Sequence, residues 1–208
     1  MFPTLLVDWL NNHKVTSLIW ATSAFRMVAD SGIFEKKRPQ CLRQVILGGE
    51  ALQAKHLNIW KKAAPECRFI NLYGPTEVTV DCTYYKIESD FADGEPIPIG
   101  KACRNMEVIL LGDDLKPVPD GEAGEICVRG VGLALGYFAD SEKTSRAFIQ
   151  NTLNPYYPDR LYRTGDIAKR LLDGNLVFLS RKDSQIKHMG YRIELGEIET
   201  ALSGIPDV

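Results

Sequence analysis

Along the first 85 or so residues, short apolar runs alternate with stretches whose apolar positions recur at helical spacing, and most hand over at a Gly or a Pro. Pro3 suits the first turn of a helix running to about Asn12. Val15 to Trp20 reads as a buried strand, and Ser23 to Ser31 as a helix stopped by Gly32. Arg43 to Leu47 is a strand ending at Gly48 and Gly49. Leu57 and Trp60, with Pro65 beyond, predict a helix over Gln53 to Ala64, and Arg68 to Tyr73 is a strand running into Gly74 and Pro75. Strands and helices in alternation are the pattern of a sheet covered by helices.

From about Asp90 to Arg181 the texture changes to short strands between clusters of Gly, Pro and Asp, as in an antiparallel barrel or sandwich. Met106 to Leu111 and Glu125 to Arg129 flank the turn-rich GDDLKPVPDGEAG. Ala168 to Leu172 and Leu176 to Leu179 flank a turn at Asp173, Gly174 and Asn175. One helix, about Ser141 to Phe148, interrupts them. From Lys182 the chain is charged and then helical, with Ile198, Ala201, Leu202 and Ile205 at helical spacing and Glu194 and Glu197 where the helix dipole favours acids. The fold class expected is α/β and β: the end of a helix-covered sheet subdomain at 1–89, a small antiparallel β-barrel-like subdomain at 90–181, and at 182–208 a hinge with the start of a truncated α+β C-terminal domain. Met1, followed at once by a packed helix, reads as a start in mid-domain.

Composition narrows the partners. Of 208 residues, 45% are hydrophobic and 25% charged, an ordinary globular balance. Lys and Arg number 25 against 27 Asp and Glu, a net charge of -2, so no global field draws in nucleic acid or an anionic membrane, and any phosphate binding is local. Cys41, Cys67, Cys82, Cys103 and Cys127 are widely separated, odd in number and without a CxxC pair, which fits a reduced cytoplasmic protein. The N-terminal apolar stretch is broken by Asp8 and carries neither a basic leader nor a membrane span.

Three polar segments carry candidate chemistry. NLYGPTE, Asn71 to Glu77, ends a strand in a turn, the place where open α/β sheets bind ligands. Tyr73 offers a flat surface for a base, Thr76 a hydroxyl for a phosphate oxygen, and Glu77 a hard oxygen for Mg²⁺. A polar turn capping a strand accounts for the same residues equally well. YRTGD, Tyr162 to Asp166, places an acid after a glycine turn, which suits a carboxylate accepting both hydroxyls of a ribose, though a surface turn suffices. SRKDSQIKHMGYRIELGEIE, Ser180 to Glu199, reads by itself as a solvated linker and helix entrance.

These segments occur in one order with VILGGEAL, Val45 to Leu52, and GEICVRGVGLALGYF, Gly124 to Phe138. Together they resemble the adenylate-forming superfamily, and within it the amino-acid adenylation domains of nonribosomal peptide synthetases, over essentially the whole chain. The resemblance implies a ligase that uses ATP and Mg²⁺ to activate an amino acid as aminoacyl adenylate, releasing pyrophosphate, and then passes the acyl group to the thiol of a phosphopantetheinyl carrier protein or domain. It implies that Thr76 touches the α-phosphate, that Glu77 holds Mg²⁺, and that Asn71, Tyr73 and the Gly48 and Gly49 backbone frame the adenine. Asp166 would grip the ribose with Arg181 beside it, Phe178 would line the base, and Lys187 would bind nucleotide. Asp183 matches the hinge about which the small C-terminal domain rotates. Ile19, Gly48, Leu72 and Val80 would line the amino-acid pocket with Asp81 adjoining, although plain core packing accounts for the three aliphatic ones equally well. Mostly apolar lining points to a hydrophobic or small side chain, whereas Asp81 would either pair with a basic or hydroxylated one or merely face solvent.

Ser180 stands where the family most often has Gly, which restricts the backbone if a positive φ is needed there. No Gly-, Ser- and Thr-rich phosphate loop ending in Lys appears in the sequence. The family's late catalytic lysine would lie beyond Val208, and the carboxylate that anchors the α-amino group would lie upstream of Met1. Weak turnover, or none, is therefore expected of this polypeptide alone. An acyl- or aryl-CoA ligase of the same superfamily, or a non-catalytic nucleotide- or carrier-binding module, remains an alternative on these residues; Pro75 and GYRIELGEIE favour the amino-acid branch.

Overall fold

A computed structural model describes residues 3–183, 185–188, 191–193, 195, 198, 201 and 202. Helix α1 (Pro3–Asn12) leads into β1 (Ser17–Ala21), followed by α2 (Thr22–Asp30), β2 (Gln44–Gly48), α3 (Ala54–Ala63) and β3 (Arg68–Tyr73). Two short strands, β4 (Thr83–Lys86) and β5 (Lys101–Ala102), complete a five-stranded sheet in the order β1-β2-β3-β4-β5. Its first three strands are parallel, and β4 and β5 then run antiparallel. The helices cover one face: Val7, Leu10, Phe25, Val28, Leu57 and Trp60 pack with Val45, Leu47 and Phe69 in one core. Trp60 stacks on Phe25 at 4.7 Å between ring centroids and donates its indole N–H to the Phe25 carbonyl at 3.0 Å. A buried Trp whose N–H is satisfied contributes on the order of 3–5 kcal/mol.

Strand β1 is not fully buried as the apolar run Val15 to Trp20 led us to expect. It lies at the end of the strand order and alternates, with Leu18 and Trp20 packed toward the core and Ser17, Ile19 and Ala21 exposed. Because side chains in strands alternate, Ile19, Ile46 and Ile70 share the face opposite the helices, as do Gly48 and Leu72.

The second core begins where the chain leaves the first: Ile97 packs with the helices, but Ile99 packs with Ile126, Val128, Tyr162, Ala168 and Leu176. The second sheet has the order β10-β9-β7-β6, formed by β6 (Met106–Leu111), β7 (Ala123–Gly130), β9 (Arg160–Arg170) and β10 (Leu176–Arg181), with β8 (Phe148–Gln150) paired to β9. All its pairings are antiparallel, and register shifts in β9/β10 and β7/β9 curl it. Helix α4 (Ser141–Ala147) is capped by Asp140, whose carboxylate accepts from the Lys143 N–H at 2.8 Å. The two sheets are stitched where Ile99 N–H donates to the Leu176 carbonyl and Leu176 N–H to that of Gly100, both at 2.8 Å.

Beyond Asp183, a hairpin of β11 (Ile186–His188) and β12 (Tyr191–Ile193) replaces the expected linker. Ile198, Ala201 and Leu202 are helical as their spacing predicts, while Glu194, Glu197 and Ile205 lie outside the described residues. The five cysteines are free thiols, and burial pushes Cys67 up to about 11 and Cys82 and Cys127 up to about 12, well above the range of a reactive thiolate. No described helix is long and apolar enough to cross a membrane.

Candidate active site

The site forms where β3 ends and the two sheets meet. Past Tyr73 the backbone folds back so tightly that a side chain on Gly74 would lie 2.5 Å from the Val80 carbonyl oxygen, which accounts for glycine there. Cys82 N–H closes this fold by donating to the Tyr73 carbonyl at 2.8 Å. Between them, Thr76–Val78 makes one 3₁₀ turn with Thr76 exposed and Glu77 buried. The turn ends in two consecutive β-branched residues at positive φ, Thr79 at 60° and Val80 at 77°. Such backbone is costly and persists where surrounding contacts enforce it, often at functional sites.

Asp166 is the node. Tyr73 donates its hydroxyl to Asp166 Oδ2 at 2.6 Å, and Arg181 Nη1 donates to Oδ1 at 2.5 Å. The same guanidinium holds both oxygens of Asp183, Nε to Oδ1 and Nη2 to Oδ2, each at 2.7 Å. Burial, more than the neighbouring Asp166 charge, raises the Tyr73 phenol well above its ordinary value, so it stays a donor. Burial opposes the Arg181 charge, but its bonds to Asp183 and the two carboxylate charges outweigh that and raise its pKa. Reciprocally, the Arg181 hydrogen bonds hold Asp183 below the usual carboxylate range.

Two bulges aim Asp166. YRTGD is not a turn, as expected from its glycine, but lies within the long strand β9. Opposite the step from Glu125 to Cys127, β9 moves from Ile167 to Arg163, and Gly165, at φ 72°, takes up the excess. Thr164 fixes the bulge by donating its hydroxyl to the Ile126 carbonyl at 2.8 Å and accepting from Asp166 N–H at 3.0 Å. Buried Glu125 accepts from Gly165 N–H at 3.2 Å and from Arg163 at 2.7 Å. On the other side, β10 bulges between Phe178 and Ser180. Ser180 pairs with Ile167 and is not at positive φ, so the restriction feared for a non-glycine residue does not arise.

The remaining candidates fall into three groups. Phe178 packs in the same core as Tyr73 and pairs with Ala168, two residues beyond Asp166. Gly48, Leu72 and Asp81 converge: a Cβ on Gly48 would lie 3.4 Å from Leu72 Cβ and 3.5 Å from Asp81 Oδ1. Ile19 and Val80 are 75% and 65% exposed, which rules out core packing for both. Gly49, at φ 94°, follows β2, where Thr22 donates its hydroxyl to the Gly48 and Glu50 carbonyls at 3.2 Å. Asn71 is buried and donates its amide to the Pro98 carbonyl at 2.9 Å, which ties β3 to the segment leading into the second core. Lys187 lies on β11 opposite Arg192.

Sequence reasoning missed Tyr137, which donates its hydroxyl to Glu77 Oε1 at 2.7 Å, and also the Glu125 and Thr164 supports. The motif GEICVRGVGLALGYF contains Glu125 and Tyr137, but nothing in it shows that either reaches the site.

A mixed sheet covered by helices on one face thus meets a curled antiparallel sheet at a buried, Arg-paired carboxylate, and comparison with known proteins gives this arrangement its family. A family model described as AMP-binding enzyme matches residues 1–138. The chain is 43% identical over 202 residues to tyrocidine synthase 3 of Brevibacillus parabrevis, covering 95% of the chain and 3% of that protein. It is 39% identical over 203 residues to bacitracin synthase 1 of Bacillus licheniformis, covering 96% of the chain and 4% of that protein. The solved structure of holo-PA1221, described as an NRPS protein containing adenylation and PCP domains bound to a vinylsulfonamide inhibitor, superposes with TM-score 0.89 at 32% identity, over 99% of this chain and 35% of that one. The chain belongs to the AMP-binding, adenylate-forming family of the nonribosomal peptide synthetase type. It spans a small fraction of the synthases it matches.

Proposed function

We propose that this chain supplies the nucleotide-binding and side-chain-selecting parts of an amino-acid adenylation domain. In the reaction, a carboxylate oxygen of the amino acid attacks the α-phosphorus of ATP. The new C–O–P anhydride forms as the bond to the β-phosphate oxygen breaks, and pyrophosphate leaves with the electron pair. A carrier thiol then takes the acyl group and AMP departs. The observation that carries the reading is the junction at Asp166, where Tyr73 from one sheet and Arg181 from the other meet on a single buried carboxylate.

Each carboxylate oxygen has two lone pairs, so Asp166 retains acceptor capacity for a ribose diol while holding Tyr73 and Arg181. The rigid Tyr73 ring, with Phe178 nearby, would bound the base, the Gly48 and Gly49 backbone would border it, and the exposed Thr76 hydroxyl would donate to the α-phosphate. Because phosphoryl chemistry depends on positioning and charge neutralisation, fixed donors of this kind lower the barrier without reorganising. Glu77 fits Mg²⁺: the cation commonly takes one or two protein carboxylates and completes its shell with substrate phosphates and water, and no cluster of three acidic, His or Cys ligands exists among the described residues. Bound there, Mg²⁺ would neutralise phosphate charge. Asp183, held by Arg181, would act as the hinge, and Lys187 beyond it would reach the nucleotide.

On the open face of the sheet, Gly48, Leu72 and Asp81 would border the amino-acid side chain with Ile19 and Val80 at its edge, and the acid would favour a basic or hydroxylated one. Free thiols and the need for ATP agree with a cytoplasmic location. The test is pyrophosphate exchange into ATP across a panel of amino acids. We expect weak exchange by this chain alone, stimulated most by amino acids with basic or hydroxylated side chains; a panel on which no amino acid stimulates exchange, even with the chain placed in a full adenylation domain, would contradict the reading.

A further inference from the structure

Glu77 comes from the first sheet, yet its side chain is held by the second. After β7 the chain runs through Val131 to Phe138 over the 3₁₀ turn and makes three hydrogen bonds to it. Ala134 N–H donates to the Glu77 carbonyl at 2.9 Å, the Thr79 hydroxyl donates to the Gly132 carbonyl at 2.7 Å, and the Tyr137 hydroxyl donates to Glu77 Oε1 at 2.7 Å. Tyr137 is itself fixed. Its N–H donates to Thr144 Oγ1 at 2.9 Å, its ring meets Phe148 edge-on at 6.0 Å, and the Lys143 ammonium lies 4.8 Å from the ring centroid. Helix α4 and β8 thus hold the phenol that holds the carboxylate.

We infer that Tyr137 is a positioning residue for the metal site: its hydroxyl sets the direction in which the Glu77 carboxylate presents itself to Mg²⁺. The inference rests on the reading of Glu77 as the metal ligand. An ionised carboxylate has only acceptors, and a short bond from a phenol fixes one oxygen and so the rotation of the whole group. Partners of metal-binding carboxylates that hold them in this way govern metal affinity without touching the ion. A plainer role, satisfying a buried acid, would make Tyr137 matter for stability and for every ligand alike.

The two roles separate by metal dependence. Isothermal titrations of the chain with ATP at a series of MgCl₂ concentrations, and with AMP without metal, would be run on the unaltered protein, Tyr137→Phe and Glu77→Gln. Tyr137→Phe keeps the ring packing and removes one hydrogen bond. Its half-saturating Mg²⁺ concentration should rise roughly tenfold, with AMP affinity within about twofold of the unaltered chain. A Tyr137→Phe chain with the unaltered Mg²⁺ midpoint, beside a Glu77→Gln chain whose midpoint has moved, overturns the inference alone. Equal weakening of ATP and AMP also overturns it, because Tyr137 then acts through the fold. If ATP binding by the unaltered chain does not respond to Mg²⁺, or Glu77→Gln does not change that response, the reading of Glu77 fails and the role of Tyr137 falls with it.

Discussion

Around Asp166 the two sheets meet through charge, with Tyr73, Arg181 and Asp183 joined by short hydrogen bonds in mostly buried surroundings, whereas on the open face of the first sheet Gly48 leaves room in which an added Cβ would meet Leu72 and Asp81 only at ordinary contact distances. In the first region each group is committed to another, and the geometry is held from several elements at once. In the second, a side chain added at Gly48 would meet Leu72 Cβ and one Asp81 carboxylate oxygen at ordinary contact distance, so it alters shape and polarity without a backbone clash. On the proposed reading the Asp166 region binds what every adenylation shares, the nucleotide, and the open face binds what varies, the amino-acid side chain.

Substitutions should expose that contrast. The largest effect belongs to Asp166→Ala, which takes the acceptor from the Tyr73 hydroxyl and from one arm of Arg181 in a buried place. Urea denaturation should show a loss of about 3 kcal/mol or more, since breaking a buried ion pair by removing one partner typically costs about 3–5. Gly74→Ala comes next, because its methyl would lie 2.5 Å from the Val80 carbonyl; a loss of roughly 1–3 kcal/mol by the same measurement is expected. Gly48→Ala brings its methyl only to 3.4 Å from Leu72, so its stability should stay within about 1 kcal/mol of the unaltered chain, while the order of amino acids in pyrophosphate exchange shifts to smaller side chains. Destabilisation by Gly48→Ala as large as that by Asp166→Ala would erase the distinction between the regions.

The smallest effect is electrostatic. Arg181 holds Asp183 below its ordinary pKa, so the folded state binds that proton less readily than the unfolded one. The resulting stabilisation is present above the unfolded carboxylate value, about 4, and is lost as pH falls through the lower folded value. Because Asp183 is about half exposed, its share is under about 1 kcal/mol. Denaturation midpoints measured from pH 5 to pH 3 should fall less steeply for Asp183→Asn than for the unaltered chain, and parallel curves would contradict this.

Much of the fold could be read from the chain because its cues are local. Pro3 starts α1, Leu57 and Trp60 mark the buried stripe of α3, and the glycines after Leu47 and Tyr73 mark the strand ends. The site was legible only in its inventory. That Gly165 belongs to a bulge and not a turn depends on pairing with Glu125 and Cys127, some 40 residues earlier in the chain. Tyr73 meets Asp166 across 93 residues and Glu77 meets Tyr137 across 60, and no periodicity reports such encounters. The exposure of Ile19 was hidden for a similar reason: an apolar run does not say whether its strand lies at the centre of a sheet or at the end of the order.

Whether Asp166 grips a ribose is tested most directly by comparing AMP with 2′-deoxy-AMP in calorimetric titrations of the unaltered chain and of Asp166→Asn. The account predicts that the unaltered chain prefers AMP by roughly tenfold or more, the worth of a hydrogen bond to a charged group, and that Asp166→Asn loses most of that preference. Equal binding of the two nucleotides by the unaltered chain, or a preference that survives in Asp166→Asn, would contradict it.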